Sequence, residues 1–251
     1  MISKAIETDL RRAYELMRAR FGHQHWWPGE AAFEVCVGAI LTQNTAWTNV
    51  ERAIVNLKTA RVLEPKKLFA LPESKLAKLI RPAGYFNVKA RRLRSFLRVL
   101  VEGYGGDLRR LFSGDTATVR ERLLAINGIG PETADSMLLY AGGYHSFVVD
   151  AYTKRIFERH VWSPQSTRLR SATARQAVHS PKSSNTYDEL KLLCESALNE
   201  KSESERLDHW QDYHAQLVMV GKHFCRTRTP RCEECPLKLL LPQKSVCSVA
   251  L

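Results

Sequence analysis

The sequence predicts an all-α protein of two helical lobes, and three features carry that expectation. Apolar residues recur at spacings of three and four along most of the chain, strand-like alternation is scarce, and a glycine-rich turn followed by proline joins two helical stretches near the middle. With 251 residues, 44% of them apolar, the chain can bury a substantial core.

Taken in order, helices are expected over 5–20, 30–42, 46–60, 73–81, 88–103 and 116–126, then from Pro131, and over 151–160, 187–199 and 208–224. The first two are linked by FGHQHWWPGE, where a single Trp would plug the core. Trp26 and Trp27 are adjacent, however, and two neighbours cannot easily both face inward. Leu41 to Thr45 ends one helix, with Thr45 offering an N-cap to the next. Gly84-Tyr85-Phe86-Asn87 precedes a helix bearing Lys89, Arg91, Arg92, Arg94 and Arg98, a run that reads as a solvated face or as phosphate contacts.

The central turn is Asn127-Gly128-Ile129-Gly130, with Pro131 at the first-turn position where a missing N–H costs nothing. Two glycines around one apolar residue leave several N–H groups pointing outward at a helix N-terminus, an arrangement that binds phosphate but also serves as a plain helix corner. Further on, Val148-Val149 leads into Asp150, a favoured N-cap residue for the helix that bears Lys154, Arg155 and Arg159. Ser163 to Asn185 is basic, without acidic residues, and reads as a partly disordered loop.

Lys and Arg outnumber Asp and Glu by 38 to 26, a net charge of +12 that suits a polyanion or an anionic membrane surface. No apolar run approaches the length of a membrane span, and MISKAIETDLRRAYELM is a charged amphipathic helix rather than a signal peptide. An intracellular protein (cytoplasmic or nucleoid) with no membrane partner is expected. Four of the six cysteines, Cys225, Cys232, Cys235 and Cys247, crowd into the last part of the chain with spacings x6, x2 and x11. Metal ligation explains them better than a disulfide framework, and four thiolates could hold zinc or a [4Fe-4S] cluster. Cys36 and Cys194 lie in apolar runs and read as buried structural residues.

Five stretches, in order, resemble one family, the helix-hairpin-helix-GPD DNA glycosylases, whose best-known branch is endonuclease III. They are AILTQNTAW, AGYFNVKARRL, LLAINGIGPETA, VVDAYTKR and the C-terminal cysteines, and the resemblance covers about residues 5–160 and 208–247. It implies a single unit of two lobes, one over about 25–137 with the hairpin. The other comprises 1–24 and 138–224 with the insert 163–185, and a cluster loop follows over 225–247. It also implies a base-excision-repair enzyme that binds damaged double-stranded DNA as a monomer.

By that resemblance Gln43 fills the gap left by an extruded nucleotide and Tyr85 wedges between bases, while Asn87, Lys89, Lys154 and the hairpin residues Gly128, Ile129 and Gly130 hold DNA. Asp150 is the catalytic carboxylate. Glu132 stands where bifunctional members carry a nucleophilic lysine, and a carboxylate cannot form an imine, so a glycosylase without lyase activity is expected. The cysteines resemble the family's [4Fe-4S] ligands, although the gap before Cys247 is longer than the family's. The WWP segment is similar to the 3-methyladenine branch, whose cationic bases could stack on Trp26, Trp27 or Trp47 beside Glu132. A mismatch glycosylase, a bifunctional enzyme using another lysine and a non-catalytic damage binder are the alternatives.

Overall fold

A helix buried on nearly every side must be surrounded by others. In the computed structural model, which describes residues 4–26, 29–162 and 185–242, two helices have this character and the remainder gather around one or the other. The chain divides into two compact units, Trp27–Ser146 on one hand and Met1–Trp26 with Phe147–Leu251 on the other. Among the described residues there is no strand, and the all-α expectation holds.

After α1 (Lys4–Phe21) comes α2 (Ala32–Leu41), the centre of the first unit, where Phe33 and every residue from Val35 to Leu41 are buried. Around it run α3 (Trp47–Thr59), α4 (Pro65–Ala70), α5 (Glu73–Leu79), α6 (Phe86–Arg98), α7 (Leu108–Leu111), α8 (Thr116–Leu124) and α9 (Pro131–Met137). Of these, α3, α6 and α9 pack directly on α2. The turn after α9 stays with this unit because Leu138 and Leu139 are fully buried and Ser146 bonds back to Asp135.

The other unit comprises α1, α10 (Ala151–His160), α11 (Asn185–Ala197) and α12 (Glu203–His223). From His209 to Gly221 nearly every residue of α12 is buried, with α1 and α10 packed against it. A Cβ on Gly221 would lie 2.2 Å from Tyr152 Cδ1 and 2.7 Å from Tyr152 Cβ. Glycine there lets the α12 backbone press against the first turn of α10, which fixes where that helix begins.

Three local expectations change. Thr45 is not the cap of α3: Ala46 holds that position without a side-chain bond, and the Thr45 hydroxyl donates instead to Ala83 O at 2.6 Å. The helix expected from 88 starts at Phe86 and widens into a π turn over Val99–Gly103. Short α4, opened by Pro65, and α7, capped by the Asp107 side chain, were not expected, because six and four residues are too few for periodicity to register. Trp27, Cys247 and the insert 163–184 lie outside the described residues.

Candidate functional site

The hairpin is built from α8, a tight turn and α9. Ile129 N donates to Ile126 O at 3.0 Å, Ile129 is buried, and Gly130 sits in extended geometry at the N-cap of α9. At Gly128 φ is +91°, and an added Cβ would lie 2.3 Å from Arg92 Cγ, so both backbone conformation and space demand glycine. Behind the turn a buried fork joins the two helices. Arg120 Nε and Nη2 donate to the two oxygens of Asp135 at 2.9 and 3.1 Å, and Ser146 Oγ donates to Asp135 Oδ1 at 2.7 Å. Both oxygens of this buried side chain thus have hydrogen-bond donors.

The Gln43 amide is fastened to that turn. Its Nε2 donates to Gly128 O at 3.0 Å and to Thr133 Oγ1 at 2.9 Å, while Arg92 Nη1 donates to Gln43 Oε1. Tyr85 adopts the left-handed conformation (φ 45°, ψ 31°) and its ring is 74% exposed, and Asn87 beside it is also exposed. Glu132 is exposed on the first turn of α9, and Trp47 is partly buried against the α2 core.

Lys89 overturns its expectation as a phosphate contact, since it is 1% exposed. Its Nζ donates to Leu41 O at 2.7 Å, Thr45 Oγ1 at 2.6 Å and Ala83 O at 2.7 Å, so one ammonium joins the segment that carries Gln43 to the one that carries Tyr85. Burial, then repulsion from Arg92, pulls its pKa down to about 8. In the same run Arg94 turns to Leu71 O at 2.6 Å, leaving Arg91 and Arg98 exposed.

In the other unit Asp150 caps α10. Its Oδ1 accepts from Thr153 N at 2.7 Å and Thr153 Oγ1 at 2.8 Å. Its Oδ2 lies 3.7 Å from His214 Nε2, the histidine side chain being 6% exposed. Burial pushes this carboxyl up, but His214 and Thr153 outweigh that push and hold it below its ordinary value. One oxygen is thus spent on the helix and the other faces His214. Lys154, expected at DNA, places its Nζ 5.6 Å from the Tyr187 ring.

Trp26, half-buried, follows a segment anchored on α12. Gln24 N donates to Asp212 Oδ1 at 2.8 Å, and Gln216 Nε2 donates to Gly22 O at 2.6 Å. Asp212 is itself buried and accepts from Tyr14 at 2.8 Å.

Cys225, Cys232 and Cys235 line one pocket together with Arg159, His160 and Lys238. Arg159 Nη1 donates to Cys225 Sγ at 3.0 Å, and Arg155 Nε donates to Cys225 O at 2.6 Å, which binds the loop to α10. Burial pushes the Cys235 thiol up to about 11. Among the described residues no three ligand side chains converge to metal-binding spacing. The donor chemistry nevertheless fits a thiolate-bound group, because three soft donors share one pocket and basic side chains beside them offset the anionic charge.

Two helices joined by a glycine turn, followed by a capped aspartate, define a helix-hairpin-helix protein. The chain belongs to the HhH-GPD superfamily of base excision DNA repair proteins, whose family model matches residues 37–180. A Methanocaldococcus jannaschii protein whose name assigns it to the DNA repair glycosylases is 44% identical over 228 residues, covering 90% of this chain and 93% of its own. Endonuclease III of Bacillus subtilis is 25% identical over 205 residues, 82% of this chain and 78% of that one. Among solved structures, H. pylori 3-methyladenine DNA glycosylase (MagIII) bound to 1,N6-ethenoadenine shares 28% identity with a TM-score of 0.67, covering 86% of this chain and 97% of that chain.

Four participants escaped sequence reasoning. Arg92 was visible only as one of a basic run, Arg120 and Asp135 as ordinary helix charges, and His214 as one residue of an apolar helix. None carried a local signal for its partner. Replacing Lys89 with Met takes the ammonium donor from Leu41 O and Thr45 Oγ1 and leaves Ala83 O only the Thr45 hydroxyl. Equilibrium denaturation of Lys89→Met should therefore show a loss of at least about 2 kcal/mol, whereas a residue serving only phosphate contact would weaken DNA binding at unchanged stability.

Proposed function

We propose that this chain is a monofunctional DNA glycosylase that extrudes cationic alkylated purines, of the 3-methyladenine kind, from duplex DNA and hydrolyses their N-glycosidic bond with Asp150. The observation that carries this reading is the Asp150 carboxylate: it is held ionised by Thr153 and His214, with Oδ2 outside the helix cap. Breaking the glycosidic bond develops positive charge on the sugar, and a fixed anion stabilises that charge and orients or deprotonates water. Alkylation leaves the purine cationic and the bond weak, so little protonation of the leaving base is required.

Glu132 supports hydrolysis over imine chemistry, since an exposed carboxylate stands at the hairpin position where a nucleophilic amine would be needed. Tyr85 supports a wedge role through its exposure and strained backbone, Gln43 a role at the orphaned base, and the hairpin amides of Gly128 and Gly130 a phosphate contact, the Ile129 N–H being committed to Ile126 O. An aromatic face such as Trp26 would attract a cationic base by about 0.5–2 kcal/mol. The 44% and 28% identities to a DNA repair glycosylase and to a 3-methyladenine glycosylase support the same reading.

Cys225, Cys232 and Cys235, with Cys247, would hold a [4Fe-4S] cluster. When bound, such a cluster supplies a structural staple for its loop and a fixed local charge. The chain's own residues then tie that loop to α10 through Arg155 and Arg159.

Asp150→Asn should abolish base release from methylated duplex while affinity for an abasic-site duplex is retained, as read by single-turnover kinetics and equilibrium binding. Turnover at the wild-type rate would reject Asp150 as the catalytic group. Iron analysis of the purified protein should give about four atoms per chain, and one zinc with no iron would reject the cluster.

A further inference from the structure

His214 is the side chain held against the one Asp150 oxygen that the helix cap leaves uncommitted. The two residues are brought together by the approach of α12 to α10 at Gly221, across 64 positions of sequence. The imidazole is fixed on its other side as well. Its ring meets the fully buried Phe147 edge to face, with centroids 6.4 Å apart, and Phe147 N donates to Glu195 Oε1 at 2.9 Å. A ring so placed cannot swing away from Asp150 without opening the core of its unit.

We propose that His214 is the positioning residue of the reaction, acting through Asp150: its Nε2 keeps Oδ2 ionised and aimed, while Thr153 keeps Oδ1 on the helix. This rests on the reading of Asp150 as the catalytic carboxylate. The separation of 3.7 Å exceeds a direct hydrogen bond, so the pairing is electrostatic and leaves Oδ2 able to accept a hydrogen bond from water. At this burial a carboxylate without its partner would be pushed toward the neutral form, which can neither stabilise a cation nor take a proton. The geometry therefore does for Asp150 what solvent does for an exposed carboxylate.

The other charged and titratable groups near the pair do not replace His214. On α10, the Tyr152 phenol is pushed up first by burial and then by Asp150, so it remains neutral, and Arg155 is committed to Cys225 O. On α12, Asp212 turns to Tyr14 and Gln24. Lys154 lies over the Tyr187 ring, and Glu195 is taken by Phe147 N and Lys191.

Two variants separate the imidazole from a bare N–H donor, His214→Gln keeping a donor of similar reach and His214→Ala keeping neither. Each is made in the wild-type and Asp150→Asn backgrounds of the full chain. Four quantities are read: the Asp150 carboxyl titration by ¹³C NMR, single-turnover base release from dimethyl-sulfate-treated duplex across pH, affinity for an abasic-site duplex, and melting temperature. Loss of a neighbour that favours the anion raises a carboxyl pKa. In both variants the Asp150 titration and the acid limb of the rate profile should therefore move upward together by about one pH unit. His214→Ala should also slow release at neutral pH by about tenfold and His214→Gln by less, with abasic-site affinity within about twofold of wild type. In the Asp150→Asn background neither variant should add a further loss.

An unmoved titration and acid limb in His214→Gln would overturn the proposal, as would an equal loss from His214→Ala with and without Asp150. His214→Gln decides the matter alone if the alanine variant melts. Should Asp150→Asn keep wild-type release while the NMR titration still responds to His214, the catalytic reading of Asp150 fails and the role of His214 falls with it. That outcome is distinct from an unresponsive titration, which removes His214 alone.

Discussion

The start of α10 is set by one carboxylate, and much of its unit follows from that. Asp150 gives Oδ1 to Thr153, so the first free N–H groups of the helix find their acceptor, and the chain direction at this point fixes where Oδ2 lies. The same helix then reaches the cysteine loop at its far end, through Arg155 and Arg159. A local capping rule and a candidate catalytic position are thus the same geometric fact. The neighbouring α12 works as its counterpart: Gly221 allows the close approach, His214 meets Asp150, and Asp212 and Gln216 hold the segment ahead of Trp26.

In the unit centred on α2, buried and half-buried donors matched to particular acceptors play the corresponding part. Lys89 joins the ends of two loops, Arg92 and Gln43 join one of those loops to the hairpin turn, and Arg120 with Asp135 joins the hairpin's two helices. Each is a polar group whose removal would leave partners unsatisfied in a poorly hydrated place, a cost of about 1–3 kcal/mol apiece. Rigid presentation of exposed groups such as Tyr85 follows from this hidden framework, since the ring itself makes few contacts to hold it. A loop that projects an aromatic side chain in a left-handed backbone conformation needs such support to persist.

What the sequence made legible was whatever rests on local repetition. Helical spacing placed α2, α6, α8 and α12 within a few residues, the Gly128 to Pro131 segment announced its turn, and Asp150 stood where a cap belongs. Short α4 and α7 escaped because a single turn has no period. Lys89 escaped for a different reason: among Arg91, Arg92, Arg94 and Arg98 a lysine reads as one more solvated charge, and whether it is buried depends on segments forty-eight positions earlier in the chain. His214 escaped likewise, since a histidine in an apolar stretch is indistinguishable from core until the partner is seen. The expected metal set shows the same division, its spacing visible in sequence and its shared pocket visible only for Cys225, Cys232 and Cys235.

The measurement that bears most directly on this account is the identity of the products released from duplex DNA. Methylated and mismatched duplexes would be incubated with the protein, with freed bases identified by mass and strands resolved on denaturing gels. The account predicts free 3-methyladenine, an intact strand carrying an abasic site, and no release from mismatched pairs. Release of a base from the mismatched duplex alone would contradict the alkylpurine reading, and strand cleavage at the abasic site would contradict the assignment of hydrolysis without lyase chemistry.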